Sequence, residues 1–429
     1  MGISDFDNGR LGFITGLWGN LRVRQAATLY VASFAGIPLS IFTSIVFTRF
    51  LGPQAYGDFA FLDSLFGFAR IIFPLGFFYA ANRSLVLNQD RNKAREYYGA
   101  TLVYLALLFL VMLVVMAIYG VFDPNLGQKG LRGFYFYLLP FGWIFLMTPF
   151  FDNMLHADNR IYALAASRFF PKVFTFSAAL LIFFLAREFT GNRLAVIWSV
   201  YLMAFFVVYT FVLIRIRVSF RHLKERMTSI WAHHKDYGVH LYTGTLFSLG
   251  AVALTGILIS YFSHDNAGVG FFFLAMAIAR PLALIPGVIA ATWYKDFATQ
   301  KKASGRLMTT TLLMTLTALV ALMLMAGPFI RFFYSDEFVT VVPLVHLAAG
   351  GMLLYGLASF YNRFLEAHGR GETIRNTFIV MGLVLTTLNL ILIPARGETG
   401  AMMAMIISSG VYLAGMALGY YRLIRPQSN

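Results

Sequence analysis

Two arginines, Arg70 and Arg280, stand near the middle of long apolar stretches of the chain. Their settings match, because an alanine precedes each of them and a proline follows a few residues later, at Pro74 and Pro286. An arginine at mid-bilayer depth costs about 2.5–3.5 kcal/mol on insertion scales, so such residues usually face a wet cavity and meet an anion. The pair therefore predicts one functional position used twice, and a negatively charged cargo.

The carboxylate of Asp63 lies seven residues before Arg70, two helical turns away on the same face. The two side chains are then roughly 10 Å apart along the helix axis, which is too far for a direct ion pair in a straight helix. Asp63 could bind a coupling proton or sodium ion, or it could offset the charge of Arg70 electrostatically. The sequence leaves both roles open.

A second pair of cations, Arg168 and Lys172, is spaced four residues apart, which stacks the two side chains on one helix face. Like charges at this spacing repel by about 0.2–0.5 kcal/mol in model helices. A cationic stripe in an apolar segment therefore indicates a bound anion or a partner carboxylate. Asp152, on the preceding predicted helix, is the obvious carboxylate for Arg168, and the sequence does not choose between the two.

The composition places these residues in a membrane. With 59% hydrophobic and 12% charged residues and a mean hydropathy of +0.70, the chain could not keep its surface wet as a soluble globule. Continuous apolar runs of about 18–25 residues predict an all-α integral membrane protein with about twelve transmembrane helices, and not a barrel. The predicted spans are 26–48, 57–81, 98–120, 133–155, 161–186, 194–214, 239–262, 268–291, 308–330, 338–361, 374–394 and 399–421.

Several chemistries are disfavoured by residues and motifs that the chain lacks. It has no cysteine, which removes disulfides, thiol catalysis and cysteine-bound metals. It also has no G-x-x-x-x-G-K-[ST] phosphate loop and no H-E-x-x-H metal spacing. We therefore expect no metal or other cofactor, apart from a coupling proton or sodium ion, and no enzymatic activity.

The distribution of the 34 Lys and Arg residues predicts the orientation of the chain. Most of them lie in alternate connections, above all in the basic segment 215–238, and the positive-inside rule then places both termini in the cytoplasm. The net charge of +15 reflects this topology and an attraction to anionic membrane lipids, rather than nucleic-acid binding. The segment 1–25 has an apolar helical face followed by arginines, which predicts an interfacial helix.

An internal repeat divides the chain into two halves. Leu-His-Ala-Asp-Asn-Arg at 155–160 returns as Leu-Glu-Ala-His-Gly-Arg at 365–370, and this interval equals the interval from Arg70 to Arg280. We therefore expect two six-helix bundles, arranged as parallel repeats about an axis along the membrane normal, with the binding site between them. The predicted parts are an N-terminal segment at 1–25, a first bundle at 26–214, a basic cytoplasmic linker at 215–238, a second bundle at 239–421 and a cytoplasmic tail at 422–429.

Two further motifs resemble those of a known family. Residues 49–59 read Arg-Phe-Leu-Gly-Pro-Gln-Ala-Tyr-Gly-Asp-Phe, which is similar to the R-x-L-G-P-x-x-Y-G pattern of bacterial Wzx-type polysaccharide flippases. Residues 393–401 read Ile-Pro-Ala-Arg-Gly-Glu-Thr-Gly-Ala, which is similar to that family's I-P-x-x-G-x-x-G-A. The resemblance extends along essentially the whole chain through helix number, six-plus-six organisation and cytoplasmic termini. The second half departs from the pattern at 261–268, where no R-x-L-G-P turn recurs.

The resemblance implies a MATE-like fold, in which two six-helix bundles surround a central cavity that opens to either side in turn. It implies that the cargo is an undecaprenyl-pyrophosphate-linked oligosaccharide, moved across the bacterial inner membrane for the synthesis of O-antigen, capsule or exopolysaccharide. Membrane lipids and other polysaccharide-assembly proteins would be its partners. In this fold the second and eighth helices line the cavity, so that Arg70 and Arg280 would hold the pyrophosphate.

Three alternatives stay open at this point. Arg70 and Arg280 could instead form fixed ion pairs or bind broken backbone near Pro74 and Pro286. The protein could be a cation-coupled small-molecule or multidrug exporter of the same superfamily, although a cavity of arginines suits a cationic cargo poorly. A membrane-embedded polysaccharide polymerase or ligase is least expected, because such an enzyme would need a large outer loop that this sequence does not contain.

Overall fold

The computed structural model describes residues 21–88, 90–185 and 191–424. These residues form helices with short connections and contain no β-strand, which confirms the predicted all-α class. The helices are α1 (Leu21–Ile72), α2 (Phe77–Leu87), α3 (Arg91–Phe122), α4 (Pro124–Gln128), α5 (Arg132–Leu138), α6 (Trp143–Ala157), α7 (Ile161–Leu185), α8 (Arg193–Ile216), α9 (Leu223–His233), α10 (Val239–Thr245), α11 (Ala251–Phe262), α12 (Ala267–Thr292), α13 (Tyr294–Thr299), α14 (Gly305–Phe333), α15 (Val342–Ala367) and α16 (Gly371–Ile424). Two 3-10 segments (Leu139–Phe141 and Asp336–Val341) and two π segments (His234–Gly238 and Leu246–Gly250) join some of them.

Nine helical segments within these described ranges are long and apolar enough to cross a membrane, judged by length and composition. Two of the nine, α1 and α16, contain a non-helical glycine that separates two helices, and α11 is a shorter apolar helix. The predicted number of about twelve spans therefore stays a prediction. The interfacial helix predicted for 1–25 lies mostly outside the described residues.

The glycines of the two sequence motifs make tight hairpins. Gly52 divides α1 with φ 75°, a left-handed value that suits glycine, and Pro53 begins the second arm with a φ already set for a helix. The rings of Phe47 and Phe59 lie 5.2 Å apart across this turn, whereas a straight helix would separate them by about 18 Å. Gly397, with φ 55°, divides α16 in the same way.

The second arm of α1 ends earlier than expected. The continuous helix predicted for 57–81 is wrong, because α1 stops at Ile72 and the chain breaks before α2. Pro74 has no N–H to donate and disfavours a helical residue before it, and Gly76 takes φ 88°. The carbonyl of Ile72 accepts from the hydroxyl of Tyr242 at 2.8 Å and from the N–H of Leu75 at 3.3 Å, so the break does not leave this acceptor unpaired.

The basic segment predicted as a linker is mostly helical. Helix α9 packs against α2 and α3, and the Arg226 guanidinium donates to the Glu96 carboxylate at 2.9 Å. The ring of His234 stacks on that of Phe77 with centroids 4.0 Å apart. The π segment His234–Gly238 then leads into α10 without a loop, so this connection is mostly helical and packs on the first half through one face.

The sequence repeat has the same backbone in both halves. In 155–160 and in 365–370, the N–H of the final arginine donates to the carbonyl of the first leucine, at 2.9 Å and 3.0 Å. The residue before each arginine is left-handed, with φ 51° at Asn159 and 68° at Gly369. Both helices, α6 and α15, therefore end in the same type of C-terminal cap.

The hydrogen bonds of Asp58 and Lys129 to Asn266 bring the Gly52 hairpin and the connections 123–131 and 263–266 to one end of the molecule. We call the end that holds the Gly52 hairpin and the connections 123–131 and 263–266 the turn face. The end that holds the repeated turns at 158–160 and 368–370 is called the linker face. The predicted orientation makes the linker face the cytoplasmic one.

Candidate functional site

Arg70 and Arg280 occupy different local settings. Arg70 lies in the last turn of the second arm of α1, where a cation interacts favourably with the helix dipole, by about 0.3–1 kcal/mol. Arg280 lies in the middle of α12, directly before Pro281. Both side chains are exposed, although the preceding alanines, Ala69 and Ala279, are 3% and 0% exposed. Each guanidinium therefore extends from a packed part of its helix into open space.

Neither arginine is tied to a fixed partner in the part of the chain that the structure describes. Arg70 and Arg280 form no ion pair there, and neither donates a hydrogen bond to backbone near Pro74 or Pro286. The structure therefore does not show the alternative arrangement, in which each arginine would form a fixed ion pair or bind broken backbone near Pro74 and Pro286. Two guanidiniums with free donors can bind an added anion without first giving up a partner.

The two arginines belong to a larger group of positive charges. The charges of Arg168 and Arg280 both act on Lys172, and those of Arg70 and Arg168 both act on the hydroxyl of Tyr209. Such interactions weaken with distance, so these groups are neighbours. We call Arg70, Arg168, Lys172 and Arg280 the cation cluster. Since Arg280 belongs to the second half and the other three to the first, the cluster bridges the two halves.

Two carboxylates lie beside the cation cluster. Arg168 Nε donates to Asp152 Oδ1 at 2.8 Å, so the partner suggested by the sequence is in place, with side chains that are 44% and 37% exposed. Asp63 interacts electrostatically with Arg70, but no direct hydrogen bond or ion pair joins the two side chains. Four cations and two carboxylates leave a formal excess of two positive charges.

The structure adds four residues that the sequence analysis did not single out. The hydroxyl of Tyr201 lies 3.5 Å from Asp63 Oδ1, and that of Tyr209 lies 2.8 Å from the hydroxyl of Thr148. Lys172 Nζ donates to the carbonyl of Gly36 in the first arm of α1 at 3.3 Å. Tyrosines inside an apolar helix are too common in this chain to have been selected from the sequence alone.

An apolar crevice adjoins the cation cluster. It has a volume of about 630 Å³ and lies between α1, α12 and α14. Only apolar side chains line it, among them Phe34, Ile37, Pro38, Pro281 and Phe329. Because Pro281 directly follows Arg280, charged and apolar binding surfaces meet at this point. The arrangement suits an amphiphile that has an anionic group next to a hydrocarbon chain.

A metal site is not evident in the described part of the chain. No group of three or more His, Asp or Glu residues there is arranged so that it could hold a metal ion. The carboxylate of Asp63 has only Tyr201 as a hydrogen-bond partner among those residues.

Comparison with known proteins gives one family and one fold. A family model described as polysaccharide biosynthesis protein matches residues 23–294. The structure is similar to the lipid II flippase MurJ in an inward closed conformation, with a TM-score of 0.71, 15% identity and coverage of 91% of this chain and 87% of that one. It is also similar to an inward-facing multidrug resistance MATE family transporter of the MOP superfamily, with a TM-score of 0.69, 14% identity and coverage of 91% and 96%. No curated protein sequence matches the chain significantly.

A transporter of the MOP superfamily from Pyrococcus furiosus has the same fold, with a TM-score of 0.56, 13% identity and coverage of 94% of this chain and 95% of that one. At such low identities the similarity concerns the fold alone. The predicted MATE-like fold is thereby confirmed.

Proposed function

Because the chain belongs to the polysaccharide biosynthesis protein family, we propose that it is a flippase for an undecaprenyl-pyrophosphate-linked oligosaccharide. It would move this lipid across the bacterial inner membrane by alternating access, with both termini in the cytoplasm, and supply the synthesis of O-antigen, capsule or exopolysaccharide. The observation that carries the proposal is the cation cluster beside the apolar crevice. Other polysaccharide-assembly proteins would deliver the lipid and consume it.

The cation cluster fits the pyrophosphate. A pyrophosphate diester carries about two negative charges at neutral pH, which balances the excess of two positive charges in the site, and guanidinium groups bind such oxygens through paired hydrogen bonds. Arg70 and Arg280 would supply these bonds, since neither has a fixed partner. Arg168 and Lys172 would add a cationic field, and Asp152 would hold Arg168 while the site is empty.

The apolar crevice fits the lipid tail. A polyprenyl chain that passed through a wet cavity would expose its methylene and methyl groups, at a cost of about 0.8 kcal/mol per CH₂. A crevice lined by Phe34, Ile37 and Phe329 lets the tail stay in apolar surroundings while the headgroup reaches Arg280. This proximity of hydrocarbon and charge favours a lipid-linked cargo over a water-soluble anion.

A cation-coupled exporter of small molecules is the second candidate. The excess of positive charge in the site repels a cationic drug, which weighs against it. Asp63 nevertheless provides a carboxylate that could exchange a proton or sodium ion during transport, and we retain that coupling role as part of the proposal. A polymerase or ligase is less favoured, because connections between the described helices are short.

The proposal is tested by following the lipid-linked oligosaccharide in each leaflet of cells depleted of this protein. We expect it to accumulate on the cytoplasmic side and to be cleared when the wild-type chain is restored. Normal flipping without the protein, together with faster loss of a cationic dye from cells that contain it, would favour the exporter instead.

Replacing Asp152 is expected to strengthen anion binding. In Asp152→Asn the Arg168 guanidinium loses its carboxylate, and exposed pairs of this kind contribute about 0.2–1 kcal/mol, so affinity should rise by about 1.4- to 5-fold. Calorimetry with farnesyl pyrophosphate as a short-chain probe would measure it. Glu337→Gln, which removes an exposed carboxylate on the turn face, is the control and should leave the affinity unchanged. Weaker binding in Asp152→Asn would show that Asp152 positions Arg168 instead of competing for it.

A further inference from the structure

Among the described residues, no hydrogen bond or ring contact joins the R-x-L-G-P-x-x-Y-G motif to the cation cluster. Phe50 of the motif lies against Arg193 of the first half, whereas Arg49, Tyr56 and Gly57 lie against the second half. We propose that residues 49–58, together with Lys129, form a closure surface. This surface seals the turn face by binding the second half, and its contacts must separate before a cargo can leave on that side. The inference rests on the proposed alternating access, but not on the identity of the cargo.

Arg49 binds the end of a helix in the other half. Its Nη2 donates to the carbonyl of Phe332 at 2.7 Å, and its Nε donates to those of Phe333 at 2.6 Å and Tyr334 at 3.1 Å. Helix α14 ends at Phe333, so these carbonyls have no helical partner and carry the negative end of the helix dipole. A single guanidinium thus provides hydrogen-bond donors for the C-terminal carbonyls of α14 as long as the two halves are in contact.

Gly57 allows the two backbones to meet. A Cβ atom at this position would overlap the carbonyl group of Asn266, directly before α12. The approach is reciprocal, since a Cβ at Gly270 would come within 2.9 Å of the Tyr56 ring. Every side chain larger than hydrogen at position 57 must therefore push the second arm of α1 away from α12.

A buried polar network completes the surface. Asn266 is 0% exposed; its Nδ2 donates to Asp58 Oδ1 at 2.7 Å, and its Oδ1 accepts from Lys129 Nζ at 2.9 Å. Asn125 Nδ2 donates to the hydroxyl of Ser260 at 2.9 Å. Asp58, Asn125 and Lys129 come from the first half, and the other two from the second. Polar groups exchange these bonds for water at a net cost of about 0.5–1.5 kcal/mol each, so such a seal can open reversibly.

Lys129, like Arg49, donates to a backbone carbonyl at the C-terminal end of a helix in the second half. Its ammonium also donates to the hydroxyl of Ser260 at 3.0 Å and to the backbone carbonyl of the same residue, in the last turn of α11. The pKa of Lys129 is lowered to about 8, because the effect of burial outweighs the opposing effect of the nearby carboxylates of Asp58, Asp265 and Asp123. Two cations of the first half therefore hold the C-terminal ends of two helices of the second, which assigns a closing role to the motif.

The closure surface is tested by measuring a distance across the turn face. Because the chain has no cysteine, spin labels can be attached to Gln128→Cys in the first half and Glu337→Cys in the second, both exposed. Double electron–electron resonance should show one short distance for the otherwise unchanged chain. A shift of the population to longer distances is expected for Gly57→Val, and a smaller shift for Lys129→Ala.

The matched control is Gly67→Val, on the same arm of α1, where an added Cβ meets no atom within 4 Å. It should retain the short distance. If Gly57→Val does not fold, Gly57→Ala and Lys129→Ala carry the test. An unchanged distance in all folded closure variants would overturn the proposal. The distances do not depend on the cargo, so a shift combined with normal oligosaccharide flipping in depleted cells would sustain the closure surface while refuting the proposed function.

Discussion

Replacing both Arg70 and Arg280 by alanine is expected to abolish flipping of the lipid-linked oligosaccharide in a protein that still folds and inserts. Each guanidinium would make charge-assisted hydrogen bonds to the pyrophosphate, and losing such bonds costs about 1.5–3 kcal/mol, or roughly 10- to 150-fold in affinity per arginine. Folding should survive, because neither side chain has a fixed partner among the described residues. Leaflet-resolved measurement of the oligosaccharide, at matched protein levels, would give the result.

Two companion variants sharpen this experiment. Arg331→Ala removes an exposed arginine from the last turn of α14, outside the cation cluster, and should transport normally. Replacing Arg70 and Arg280 by lysine keeps both charges and removes the planar fork, so partial activity is expected if paired hydrogen bonds matter. Normal surface glycan in the double alanine variant would rule out the two arginines as the pyrophosphate site.

Replacing Gly76 by valine is expected to destabilise the protein strongly. Gly76 has φ 88°, and a Cβ there would lie 2.6 Å from the carbonyl oxygen of Gly238. Left-handed backbone alone costs about 1–2 kcal/mol for a residue with a side chain, and more for a β-branched one. The overlap adds to this, because it separates the break after α1 from the π segment before α10. Thermal unfolding in detergent should show a lower Tm and a smaller folded fraction.

The Gly67→Val variant again serves as the control for Gly76→Val. Gly67 has ordinary helical backbone and open space around its Cα, so its replacement should leave Tm nearly unchanged. Equal stability of the two variants would mean that the contact between Gly76 and Gly238 opens at little cost. The break between α1 and α2 would then be a flexible connection instead of a tightly packed one.

The local features of the fold followed from the sequence. Apolar runs predicted membrane-crossing helices, and the motifs with Gly52 and Gly397 predicted the turns that the structure forms, because a glycine at positive φ is a local requirement. The wrong prediction was also local: the helix expected over 57–81 breaks after Ile72, because Pro74 cannot donate the next helical hydrogen bond. A hydropathy average over many residues is not sensitive to the single backbone N–H that Pro74 lacks, so it could not reveal this break.

The charged residues of the candidate site could be selected from the sequence, but its tyrosines and its contacts could not. The four cations were selected because charge in an apolar segment is expensive, and that argument needs no coordinates. The choice between a bound anion and Asp152 as the partner of Arg168 was left open, and the folded chain forms the ion pair at 2.8 Å. That choice depends on how α6 and α7 pack, which no periodicity specifies.

The sequence by itself determined that this chain is a bundle of apolar helices with two turn motifs, a repeated cap and four costly positive charges, because each of these depends on neighbours a few residues away. Only the tertiary structure decided that the charge of Arg280 acts on Lys172 across the two halves, that an apolar crevice opens beside Pro281, and that Gly57 touches Asn266. Those contacts join residues far apart in the chain, and their energies depend on burial and distance, which exist only once the helices have packed.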